Sequence, residues 1–147
     1  MDKKIRMWIT IFSISLLALL GIYYFAFDFQ YLDYSVTEEG QFVLHEGLNE
    51  PGAIVNSDVS DKQDSLSILG SYMDQFNKWV LVFICVIPFF MATYAVLFND
   101  QLMKDALKKK KYLSITVIAN VTVLSIFVYQ WIRSIELVND AYHNVMF

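Results

Sequence analysis

The chain has 147 residues, 56% of them apolar and 18% charged, with two histidines, one cysteine and a formal net charge of −4. The apolar share exceeds the ~45–50% of an ordinary soluble domain. The single Cys85 excludes both an intrachain disulfide framework and a CxxC pair for metal or redox chemistry.

Three long apolar runs account for the excess, at residues 7–27, 79–98 and 112–132. Each suffices to cross a hydrocarbon core ~30 Å thick as one helix. Residues 1–147 are therefore expected to form a single all-α membrane domain with three transmembrane helices. Lys3, Lys4 and Arg6 against Asp2 make the start basic, and five lysines against Asp100 and Asp105 make residues 99–111 basic. Residues 28–78 carry ten carboxylates against Lys62 and Lys78. Because Lys and Arg are retained on the cytoplasmic side, this asymmetry predicts an N-in/C-out chain with residues 28–78 and 133–147 extracytoplasmic.

In chain order, the first run is too long for a signal-peptide core, and Ile22 to Phe25 are too bulky for a cleavage site, so it is expected to remain as an anchor. Ser13 and Ser15 are small hydroxyl residues of the kind that face a neighbouring helix. Tyr34, Val36, Phe42 and Leu44 alternate with polar residues around Glu39-Gly40, which predicts a short hairpin. Residues 49–62 contain Pro51, Gly52 and a cluster of Asn, Asp and Ser, which predicts a loop. From Asp64 the spacing of Leu66, Leu69 and Phe76 is that of an apolar helical stripe, extending the second helix beyond its membrane run.

Pro88 lies within the second run, where it removes a backbone donor and should kink the helix. Residues 99–111 are expected to form a short interfacial helix, with Lys108, Lys109, Lys110 and Lys111 anchoring the turn to lipid and fixing topology. Asn120 is the most polar side chain in the three runs and should turn toward a neighbouring helix, with Ser15 or Ser13 at matching depth as its partner, or Asn120 of a second copy as the alternative. Ile135 and Val138 continue the helical period, so the third helix is also expected to project outward. With Leu66, Leu69 and Phe76 they form a candidate partner surface.

The inventory for chemistry is small. His45 and His143 lie in no metal-ligand spacing, no nucleophile elbow or phosphate-binding loop is present, and no Asp, Glu, Lys, Arg or His interrupts the runs. The expectation is a non-enzymatic accessory or assembly subunit of a bacterial plasma-membrane complex, without metal, cofactor or nucleic acid. Its partners would be membrane lipids and another membrane or extracytoplasmic protein, with a homo-oligomer as a further association. Two alternatives remain open: an immunity protein against a secreted toxin or bacteriocin, and a small channel-forming or sensor oligomer.

Overall fold

The computed structural model describes residues 2–146, and for residues 49–51, 53, 56 and 57 the backbone alone. The elements run α1 (Lys3–Phe27), β1 (Leu32–Val36), β2 (Gln41–Glu46), β3 (Asn49–Asp58), α2 (Gln63–Phe98) and α3 (Ala106–Met146). All three helices are long and apolar enough to cross a membrane. At ~1.5 Å per residue, α2 and α3 reach roughly 54 and 62 Å, about twice a hydrocarbon core. The chain forms two compact units: an apolar unit of residues 1–22 and 82–128, and a sheet unit of residues 23–81 and 129–147.

The chain is mostly helical, and the hairpin expected beside the helices is enlarged to a three-stranded sheet. Its strands are antiparallel in the order β1-β2-β3. The first hairpin closes where expected: the Gly40 N–H donates to the Thr37 carbonyl at 3.0 Å, with Gly40 at a φ of +78°. The loop expected over residues 49–62 is instead largely β3. Its Pro and Gly fall where the register with β2 breaks, between the pairs Leu44–Ala53 and Glu46–Asn49. A bulge takes residues that a regular ladder would reject. Gly52 is required there, because a Cβ would strike the Leu44 carbonyl.

The sheet covers the apolar stripe of α2. Phe42, Val59, Leu66, Leu69, Met73, Ala141 and Val145 form one buried cluster. The Phe42 ring is completely buried, stacked on Tyr34 at 5.5 Å and edge-on to Tyr142 at 5.7 Å. Tyr34 lies across α2, donates its hydroxyl to the Leu66 carbonyl at 3.0 Å and meets the Cα face of Gly70. A Cβ at residue 70 would approach its ring to 3.1 Å, which accounts for glycine inside this helix. Beyond β3, Ser60 donates its hydroxyl and N–H to Asp58, and the hydroxyl bond is the main reason that this exposed carboxyl titrates below the usual carboxylate range.

In the apolar unit, only 6%, 17% and 6% of the most apolar stretches of α1, α2 and α3 are buried within the chain. Side chains such as Leu17 and Ile118 are more than half exposed, as lipid-facing residues are. On α2, Pro88 and Ala92 are buried. Trp8 of α1 donates its indole N–H to the Thr93 hydroxyl at 3.0 Å and meets Phe89 edge-on at 5.5 Å. Phe83 and Phe127 join α2 to α3 with ring centroids 4.8 Å apart. The expected separate interfacial helix over residues 99–111 is instead a turn over residues 99–105, with N–H bonds from Leu102 and Met103 to the Asn99 carbonyl, followed by the start of α3 at Ala106. Asp105 then caps α3 by accepting from the N–H groups of Leu107 and Lys108, both at 3.1 Å.

Phe42→Ala should destabilise the sheet unit by about 3–5 kcal/mol, read as lost hydrogen-exchange protection of the β1–β3 amides. Unchanged protection would refute the burial. A depressed carboxyl pKa stabilises the fold above the unfolded value, and that contribution disappears as pH falls through the folded value. Ser60→Ala should therefore move the Asp58 titration upward by NMR and leave less stability to lose on acidification.

Candidate functional site

The sheet unit contains an open groove of about 440 Å³. Its β walls come from Tyr31, Leu32, Leu44 and Glu46, its α2 side from Met73 and Phe76, and its α3 side from Trp131, Ile135, Val138, Asn139 and Tyr142. The α3 contribution follows helical periodicity, since residues 131, 135, 138 and 142 recur at three- and four-residue steps on one face. Trp131 and Ile135 remain 46% and 49% exposed. Phe76 is buried, 4.8 Å from Trp131 and 6.1 Å from Tyr31 between ring centroids.

Of the expected partner surface, Phe76, Ile135 and Val138 line the groove, with Ile135 exposed, Val138 half-buried and Phe76 buried. Leu66 and Leu69 are 8% and 0% exposed because the sheet covers them, so they belong to the internal core. The groove's other walls, Tyr31, Leu32 and Leu44, lie on a sheet whose position on α2 was not readable from helical stripes.

Asn77 holds the β wall in place. Its side-chain oxygen accepts from the N–H groups of Tyr31 and Leu32, both at 3.0 Å, and its amide donates to the Leu32 carbonyl at 2.8 Å. The side chain thus completes the start of β1 as a neighbouring strand would, and Asn77 is only 9% exposed. A lone Asn near the end of an apolar stripe is the sequence signal that could have singled it out.

In the apolar unit, Asn120 donates to the Tyr94 hydroxyl of α2 at 3.4 Å. This corrects its expected pairing with Ser15 or Ser13. Ser15 turns its hydroxyl to the Ile11 carbonyl of its own helix at 2.7 Å, and Ser13 is exposed. The Asn120 and Tyr94 pair borders a cleft of about 290 Å³ lined otherwise by apolar side chains, including Phe83, Phe90 and Leu124.

Lys108 to Lys111 occupy the first turns of α3. Lys109 reaches Asp100 at 2.6 Å, and its hydrogen bond and charge hold that exposed carboxyl below its usual range. Pro88 lies within helical backbone that continues on both sides. His45 bonds Ser35 at 2.9 Å, and Cys85 is exposed. Among the described residues, no group of three or more His, Cys, Asp or Glu side chains could hold a metal ion. No protein family, curated protein or solved structure matches the chain.

The two asparagines should differ sharply on substitution. Asn77→Ala leaves three backbone groups without their partner and should cost about 2–4 kcal/mol, with early unfolding of β1. A double-mutant cycle of Asn120→Leu with Tyr94→Phe should return only about 0.6 kcal/mol of coupling. Equal effects measured in detergent would contradict these geometries.

Proposed function

We propose that the protein is a non-enzymatic accessory or assembly subunit of a membrane complex, binding a partner protein through its sheet unit. The groove carries this reading. Exposed apolar surface beside a completed core favours association, and Trp and Tyr are residue types that supply strong interface anchors. Trp131, Ile135, Val138 and Tyr142 present such a surface on one helix face.

Charge supports an N-in/C-out arrangement in a bacterial plasma membrane, with the sheet unit outside. The apolar unit has a net charge of +5, from eight Lys and Arg residues against three carboxylates. Lys and Arg near membrane-spanning segments favour retention on the cytoplasmic side. Lys108, Lys109, Lys110 and Lys111 would also attract anionic headgroups at about 1 kcal/mol each.

Two measurements test this proposal. In the Cys85→Ala background, cysteines at Asp58 and Asn144 should react with a membrane-impermeant maleimide in intact cells; reaction only after permeabilisation would reverse the topology. A photocrosslinking amino acid at Ile135 should give one discrete protein adduct in native membranes, absent when the same group replaces lipid-facing Ile118. Identical adducts from both positions, or none from residue 135, would overturn partner binding through the groove.

A further inference from the structure

The sheet unit carries twelve carboxylates against Lys62, Lys78 and Arg133, a net charge of −9. Its groove is walled mainly by apolar side chains, with Glu46 and Asn139 also in the lining, and Glu136 lies beside it in sequence, next to Ile135 on α3. Both glutamates are exposed. An occupant must therefore offer apolar side chains to Trp131, Ile135 and Val138 while tolerating, or using, a strongly negative surrounding field.

That requirement separates three classes of occupant. A second copy of the chain would bring another sheet unit of −9 against the first, so like-charge repulsion opposes a symmetric contact here. An anionic phospholipid would meet the same opposition, and a neutral acyl chain would make no use of Glu46. A cationic segment satisfies both the walls and the rim.

The form of the segment follows from the groove's α3 side. From Trp131 to Tyr142 the lining extends over three helical turns, roughly 16 Å. Three turns of a partner helix would place anchors at i, i+3 or i+4, and i+7 opposite this stretch. Resting on the partner-binding reading, we infer that the groove takes a cationic amphipathic helix. Its apolar stripe lies on Trp131, Ile135 and Val138, and its Lys or Arg face meets Glu46 and Glu136.

The test uses the full chain in nanodiscs of phosphatidylcholine and a fluorescent Lys/Leu peptide of about fourteen residues, with leucines at three- and four-residue spacing. Fluorescence anisotropy should show saturable binding above that to empty discs, weakening as salt is raised. Ile135→Gln should weaken binding by about tenfold, as should the pair Glu46→Gln and Glu136→Gln. A Glu/Leu peptide of the same spacing should not bind. All substituted residues are exposed, and each variant's thermal unfolding is measured beside the parent. If Ile135→Gln unfolds the unit, the exposed Glu136→Lys change decides alone.

Equal binding to empty discs, equal binding of the acidic peptide, or affinity unchanged by the folded variants would overturn the inference. A discrete protein adduct at residue 135 without Lys/Leu peptide binding would overturn the cationic helix but leave partner binding standing. Loss of that adduct would instead remove the partner-binding reading.

Discussion

The sheet unit depends on one side chain behaving as backbone. Asn77 gives β1 an acceptor for two N–H groups and a donor for one carbonyl. These are groups that a strand beginning against a helix would otherwise leave unsatisfied. Unpaired, each would cost roughly 1–3 kcal/mol. With β1 tied to α2, the antiparallel ladders carry β2 and β3 into position, and Phe42 falls over the Leu66–Leu69 stripe. The groove is what remains where this arrangement leaves Tyr31, Leu32 and Leu44 short of α3.

The apolar unit follows a different rule. Among its described residues, the polar bonds between helices include Trp8 to Thr93 and the longer Asn120 to Tyr94. Bonds of this kind average about 0.6 kcal/mol in membrane proteins. Lipid tails match exposed apolar side chains, so shape, aromatic contacts and small residues such as Ala92 determine which helix faces meet. In the sheet unit, by contrast, the half-exposed Trp131 and Ile135 border a core that the chain has already closed.

The helices were legible because a continuous apolar run is a strong signal and the hairpin has glycine at its turn. β3 was obscured by Pro51 and Gly52, which usually mark loops but here lie at a register break. The Asn120 partner was misjudged because depth along a helix does not give its rotation: Ser15 has the expected depth but bonds its own backbone. The expected partner surface divided for a related reason. A helical stripe shows that a face must be covered, and Leu66 and Leu69 meet that need within the chain, while Ile135 remains half exposed. Asn77 stands out in sequence only as a lone polar residue on its stripe, because its partners are backbone groups some 45 residues away that side-chain pattern does not identify.

The contact between Phe42 and Tyr142 also imposes an order of assembly. The strands and first half of α2 emerge early during synthesis, but Ala141, Tyr142 and Val145 follow about a hundred residues after Phe42. Until they arrive, Phe42 and Val59 lack part of their apolar cover. Any membrane crossing by the early part of α3 must therefore precede completion of this core. A delayed third helix would expose nascent strands and their unfinished apolar face to aggregation, making the arrival of α3 a timing constraint on assembly of the sheet unit.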